Sequence, residues 1–491
     1  MAAPHVAGAA AVLRQAFPFL TAPQIAQTMF TTATHLGDGP ANAPNATFGW
    51  GLLNLGKAID GPGQFTSDWT VNTTYNGQAY YGRFANAISG VGGLTKVGLG
   101  TLELAGTNTY AGPTTVAGGT LFLSASGSLT SPVSVQSAGT YLNAGWTQSS
   151  VSNAGLLINT GTISGGATNA GTALSSGVIA GGVANSGTLS NSGTVAGGLT
   201  NTGLALNTGT IGGGATNSGS LVNAGTLAGG LTNTGTALNT GTIGGGVISS
   251  GILSNSGAIG GGVANTGLLA TSGTISGGLT NAGTVLASAG RIDGAIANNA
   301  GLLAVSGSVA GSGPFANAAG ATLAVTGGGS YSLAGPLANA GLVAVAQSAS
   351  LTASGGLSNA GLVASDGTLT ADLTNTGIAR LSGQFNGTLT NAGLVQITGP
   401  LAGLTGLTNT GALDLGGTAL TLTDLAGPAS AVLGNGALTV SSAAASTYAG
   451  AILETASPTS LTKAGPGTLL LTGPGLFSGP TTIQAGTLSL N

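Results

Sequence analysis

The sequence predicts a mainly β protein, a parallel β-helix (β-solenoid) rod with a short all-α segment at its N-terminus. Three observations carry this. First, Asn-x-Gly recurs every sixteen residues, at Asn153, Asn169, Asn185, Asn201, Asn217, Asn233, Asn265 and Asn281, with Ser249 in the remaining slot. Second, apolar residues keep the same period. One stripe is Ile163, Ile179, Val195, Ile211, Leu227, Ile243, Ile259 and Ile275, and another is Ala167, Val183, Leu199, Ala215, Leu231, Val247, Val263 and Leu279. Third, Gly accounts for 94 of 491 residues, a density that helices do not survive. A fixed period this short marks a solenoid in which each unit is one coil of short strands and turns.

Residues 1–60 differ from the rest. Val6 to Ala16 is rich in Ala, Val and Leu and reads as a buried helix, with Pro4 at its start, where a missing N–H costs little. Thr21 is the expected N-cap of a second helix that has Pro23 in its first turn and runs through Gln24–Thr32. A third helix is expected around Leu52–Ile59, stopped by Gly61-Pro62. Over residues 61–150 helix formers vanish, and Thr, Tyr, Val and Gly alternate as in short strands with tight turns.

The regular solenoid is expected over residues 151–430. A second Asn-x-Gly follows the first by six residues, at Asn159, Asn191, Asn207, Asn223, Asn239 and Asn255, with Ser175 and Thr271 filling its gaps. The Gly of each triplet is expected to supply a positive φ at a corner, and the Asn side chains to stack as a ladder from coil to coil. Beyond Asn281 the spacing loosens, with coils expected at Asn299, Asn339, Asn359, Asn375, Asn391 and Asn409. Asn317 marks one more, with its Gly a residue late. So short a coil encloses little room, which fits the absence of Phe, Tyr and Trp from Thr147 to Pro314.

Charge narrows the function. Only 3% of residues are charged, net charge is −3, and no Asp, Glu, Lys or Arg lies between Glu103 and Arg291. Without a basic patch, nucleic acid is not an expected partner. The chain is 42% hydrophobic, so it should pack rather than stay disordered. No apolar run approaches the roughly 20 residues of a transmembrane helix. Cys is absent, which excludes disulfides. No signal-peptide pattern opens the sequence, so an export signal is expected upstream of it.

The opening Met1-Ala-Ala-Pro-His-Val-Ala-Gly resembles the signature of the subtilisin family, in which the nucleophilic Ser of Gly-Thr-Ser directly precedes the Met. Phe17-Pro-Phe-Leu-Thr-Ala-Pro-Gln-Ile and Phe48-Gly-Trp-Gly-Leu-Leu-Asn resemble the family's following helix start and its closing segment. The resemblance covers residues 1–60 and implies the C-terminal helices of a subtilisin-like α/β peptidase domain. It also implies that the nucleophile would directly precede Met1 and that this chain holds no catalytic residue. A misassigned internal start or a truncated gene would each account for that.

Leu94-Thr-Lys-Val-Gly-Leu-Gly-Thr-Leu-Glu-Leu through Leu123, and Leu461-Thr-Lys-Ala-Gly-Pro-Gly-Thr-Leu-Leu-Leu through Leu490, resemble the repeat of bacterial autotransporter passengers. Such passengers are β-helices secreted through a C-terminal outer-membrane barrel of their own chain. No barrel-like pattern of alternating strands occurs before Asn491. The implied organisation is peptidase end over 1–60, linker and first repeat over 61–150, solenoid over 151–430 and second repeat over 431–491. The implied location is the surface or exterior of a Gram-negative cell.

Other chemistry is thin. In the subtilisin pattern the position of His5 packs the helix behind the nucleophile and is not the catalytic His. His35 is expected in a surface loop, and two histidines without a third ligand make no metal site. Asp366 and Asp372 could form a glycosidase pair, but the cluster of charged groups a sugar cleft needs is missing, and solvated corners are expected. Arg291 and Asp293 read as an exposed pair marking an irregular coil. The Gly runs at Gly212 and Gly260 lack the Lys-Ser or Lys-Thr of a phosphate loop. No cofactor and no metal are expected. Two readings result: a non-catalytic fragment of a serine endopeptidase autotransporter, or a structural or adhesive solenoid with a relic protease segment whose ligands, protein or glycan, are undefined. In both, the apolar faces of residues 1–60 should lie exposed or mispacked, lacking a sheet to cover.

Overall fold

Thr21 starts a helix as expected, and it does so with a reciprocal cap. Its Oγ1 accepts from the Gln24 N–H at 3.4 Å, while Gln24 Oε1 accepts from the Thr21 N–H at 3.0 Å. In the computed structural model, which describes residues 2–491, three helices precede the strands: α1 (Ala2–Ala16), α2 (Ala22–Thr32) and α3 (Leu55–Ala58). The third is shorter than the expected Leu52–Ile59. Gly51 takes φ +106°, which no helix allows, and Leu52 instead forms an antiparallel bridge with Thr34. The helix begins only after Asn54, whose Oδ1 accepts from the Lys57 N–H at 3.0 Å.

The chain divides into two units, Met1–Ala237 and Leu238–Asn491. In the first, each coil lays down three short strands that pair in parallel with the same strands of the next coil. One face runs from Trp69–Asn72 through Leu94–Val97, Thr114–Val116, Val133–Val135 and Val151–Asn153 to Leu231–Asn233. A second runs from Tyr81–Phe84 to Ser220–Asn223, and a third from Thr107–Asn108 to Thr226–Leu227. From Val151 onward the register step is the sixteen residues of the sequence period, as in Ile163↔Ile179 and Ala167↔Val183.

Both predicted apolar stripes are buried, Ile163, Ile179 and Val195 completely. A third column completes the interior: Leu157, Ala173, Leu189, Ala205 and Leu221. Its Leu and Ala alternate, so Leu side chains fill space left above and below by Ala, as close packing requires.

The Asn residues point inward and are buried. Asn153 Nδ2 donates to Asn169 Oδ1 at 2.6 Å, Asn169 to Asn185, Asn185 to Asn201 and Asn201 to Asn217 at 2.7 Å each, and Asn217 to Asn233 at 2.8 Å. Each amide also caps carbonyls of its own coil and the next. Asn201 Nδ2 reaches Gly203 O at 3.0 Å and Ser220 O at 2.9 Å. A dry interior tolerates such groups because their donors are satisfied.

The Gly of Asn-x-Gly has a different reason from the one expected. Gly155, Gly171 and Gly187 do not have positive φ, which instead falls at second positions of the Gly-Gly pairs such as Gly166 and Gly214. The triplet glycines lie where coils approach most closely: a Cβ on Gly171 would sit 2.2 Å from Gly155 O, and one on Gly187 would sit 2.1 Å from Gly171 O.

The second unit builds coils in the same way, with a ladder running Asn265, Asn281, Asn298, Asn317, Asn339, Asn359, Asn375, Asn391 and Asn409 at 2.7–2.9 Å. The rung expected at Asn299 is Asn298. Inserted residues raise the spacing there to seventeen, so Asn299 falls on the exposed corner. Asn317 is a full rung. The register shifts between Ala287 and Ala289, just before the exposed Arg291–Asp293 pair.

Candidate functional site

The segment that bears the peptidase-like signature is α1. Its first described turns, Ala3–Gly8, are exposed, His5 among them, so His5 does not pack a helix here. The lower half behaves differently. Ala9, Leu13, Phe17, Phe19, Leu20, Ile25 and Met29 are buried, which corrects the expectation of bare apolar faces for this side of the helices, while Val6, Val12, Phe30, Phe48 and Leu52 do lie exposed. Their cover is the beginning of the solenoid. Phe17 meets Phe84 edge-on at 5.6 Å, and Phe19 approaches Tyr80 at 6.5 Å. Gln24 Nε2 donates to Thr70 O at 2.8 Å, and the Trp69 indole N–H bonds Gln27 Oε1. The helices therefore close the first coil and keep its strand Trp69–Asn72 from presenting a bare edge.

His35 is not the surface residue expected. It is half-buried, and both ring nitrogens are buried without a hydrogen-bond partner among the described residues. Asp366 and Asp372 each accept hydrogen bonds from the following coil. Asp366 accepts from Ser382 Oγ at 2.6 Å, and Asp372 accepts from the Thr388 N–H and Oγ1 at 3.0 and 2.8 Å. The Thr388 bonds hold the Asp372 carboxyl below the usual carboxylate range. Arg291 grips Asp293 at 2.7 Å in the open, and its hydrogen bond lowers the Asp293 pKa. Among the described residues no group of three His, Cys, Asp or Glu could hold a metal ion, and no helix is long and apolar enough to cross a membrane.

One feature went unread in the sequence. Lys96 and Lys463, at matching places in the two repeats, are fully buried. Lys96 Nζ donates to Val97 O, Gly98 O and Gly118 O at 3.0, 3.2 and 2.9 Å. Lys463 Nζ donates to Ala464 O, Gly465 O and Ala485 O at 2.7, 2.9 and 3.5 Å. Each ammonium thus ties a turn in one coil to a carbonyl in the next. Burial pushes Lys96 down to about 8, still charged at neutral pH. The signal in the sequence is the single Lys at the same inward position of both repeats, Lys96 and Lys463.

The subtilase family matches residues 1–51, which include α1, α2 and the Gly51 turn, and the passenger-associated-transport-repeat matches residues 94–121 and 461–490, the two lysine clamps. An extracellular serine protease of Serratia marcescens is 35% identical over 178 residues, covering 30% of this chain and 17% of the relative. One chain thus carries a segment similar to the subtilase family and two similar to the passenger-associated-transport-repeat. The Neisserial autotransporter lipoprotein NalP of Neisseria meningitidis is 43% identical over 111 residues, and serotype-specific antigen 1 of Mannheimia haemolytica is 39% identical over 106. Each alignment covers 22% of this chain and 10% of the relative. The chain thus spans less than a fifth of the length of these relatives. The subtilase-like segment and the first coil meet directly, through α1 and α2.

Proposed function

We propose that this chain is a non-catalytic portion of a secreted or cell-surface subtilisin-like serine endopeptidase autotransporter of a Gram-negative bacterium. On this reading residues 1–60 close the peptidase segment, 61–150 hold the linker and first repeat, 151–430 form the solenoid stalk, and 431–491 hold the second repeat. The observation that carries it is the signature Met1–Gly8 at the start of the chain, whose resemblance to the subtilisin pattern supports a nucleophile immediately before Met1. Acyl transfer by Ser, His and Asp needs all three in mutual reach. His5 stands at a position the family does not use for catalysis, and His35 has no carboxylate or hydroxyl bonded to it. The Asn ladders that lock the coils within each unit support a structural, stalk-like role for residues 151–430.

Incubating the purified chain with a generic peptide substrate tests this. No hydrolysis is expected. Hydrolysis abolished by a serine-directed inhibitor would show a nucleophile within these residues and overturn the proposal.

A further inference from the structure

Parallel pairing from coil to coil stacks the inward side chains in columns. One column of the first unit runs Val71, Lys96, Val116 and Val135. Its counterpart at the second repeat runs Val440, Lys463 and Ile483. In each, an ammonium stands where the neighbouring coils place Val or Ile, and both lysines are completely buried. Among the described residues no carboxylate reaches either ammonium.

Two coils share the task of satisfying each charge. Lys96 finds Val97 O and Gly98 O in its own turn, but its third acceptor, Gly118 O, belongs to the following coil. Gly119, at φ +61°, leaves room for the ammonium, since a Cβ there would lie 2.8 Å from Lys96 Nζ. Lys463 repeats this. Ala485 O comes from the following coil, and a Cβ on Gly486, at φ +73°, would lie 3.0 Å from Lys463 Nζ. Until the following coil is laid down, each ammonium faces the open edge of its sheet. A strand that docks there without a Gly turn and a free carbonyl buries an unsatisfied charge, which is costly.

The coils between the two repeats have no such safeguard. None of residues 104–290 is charged, and residues 205–214 recur without a change as 237–246. Gly-rich strands of this kind specify their pairing weakly, so the edge of one coil does not tell its own next coil from that of another chain. Inward-pointing charge is one of the devices that protect open strand edges. We propose that Lys96 and Lys463 are edge guards of the folding solenoid. While the coil carrying each is the open end, its ammonium turns away the edges of other chains and admits the following coil, whose Gly turn brings the acceptor. Two chains meeting by these edges oppose like charges. The guard does not depend on the peptidase reading.

Refolding the intact chain from urea tests it, with aggregation followed by light scattering and native yield by the β circular dichroism left in the supernatant after centrifugation. Lys96→Gln and Lys463→Gln keep hydrogen-bond donors and remove the charge. Each should lower the native yield several-fold, by a loss that grows with protein concentration. Asn201→Ala removes a ladder amide from an uncharged coil, so it should lower the urea midpoint and leave the yield close to that of the unaltered chain. Gln variants that refold in the yield of the unaltered chain, a yield no lower than that of Asn201→Ala, or a loss indifferent to protein concentration would overturn the proposal.

Discussion

Phe17 and Phe84 meet edge to ring with their centroids 5.6 Å apart, and that contact joins the peptidase-family helices to the first coils of the passenger. Phe84 is completely buried and also touches Trp69, which in turn bonds Gln27 of α2. The helix pair packs one side against the strands Trp69–Asn72 and Tyr81–Phe84. The solenoid in turn gains a cap for its first coil, which repeat architectures require at their ends.

Phe84→Ala should cost about 3–5 kcal/mol locally. The helical signal of α1 and α2 should then melt before the β signal. Circular dichroism followed at helix and strand wavelengths during heating checks this, and coincident loss of both signals would show that the cap and coils do not separate.

Asn298 and its neighbour Asn299 give a sharp comparison. Asn298 is buried, donating to Asn317 Oδ1 at 2.8 Å and Thr322 O at 3.0 Å, while accepting from Asn281. Asn298→Ala leaves these groups unpaired and should cost about 2–4 kcal/mol, since each orphaned buried group costs about 1–3. Asn299→Ala, on the exposed corner, should stay within about 0.5 kcal/mol. Denaturant midpoints of the two variants decide between them.

That pair also shows what the sequence could reveal. The sixteen-residue period exposed the solenoid, the ladder and two apolar columns, because side chains one coil apart are neighbours in space. The third column stayed hidden because Leu and Ala alternate along it, doubling its apparent period. Asn298 was mistaken because the Asn-x-Gly spelling favours Asn299, whereas the ladder follows the inward-facing position of the strand. The triplet glycines were assigned to backbone angle, yet Gly171 is needed because Gly155 O lies where its Cβ would go, and only coordinates show such an approach. The docking of α1 and α2 was illegible for a similar reason: it depends on Phe84, 67 residues from Phe17, and on Trp69, 42 residues from Gln27, neither of them in a repeat.

Lys96→Met keeps the volume of the stem but removes all three donors to Val97 O, Gly98 O and Gly118 O. These acceptors are backbone and cannot be substituted away, so the change should cost about 2–4 kcal/mol despite removing a buried charge. Urea midpoints against Lys96→Arg, which retains donors, measure it. An unchanged midpoint in the Met variant would show that the ammonium does not hold the coils.

Glu454 accepts from the Ser478 and Thr459 N–H groups, each at 3.0 Å, and these bonds hold its carboxyl below the ordinary value of 4.5. A depressed acid stabilises the fold above its unfolded pKa and loses that contribution as pH falls through the folded one. Hydrogen-exchange protection of Ser478 and the neighbouring last strands should therefore hold at pH 6 and fall only as the pH drops below the ordinary glutamate value. Glu454→Gln should flatten that dependence.

The most direct test of the central claim is peptide mapping by mass spectrometry of the native protein from its bacterium. If Met1 follows the nucleophile of a subtilisin-like peptidase, peptides should run through a Gly-Thr-Ser sequence into Met1-Ala-Ala-Pro-His. A native N-terminus at Met1, with no upstream peptide, would contradict it and leave a passenger solenoid whose helices serve only as its cap.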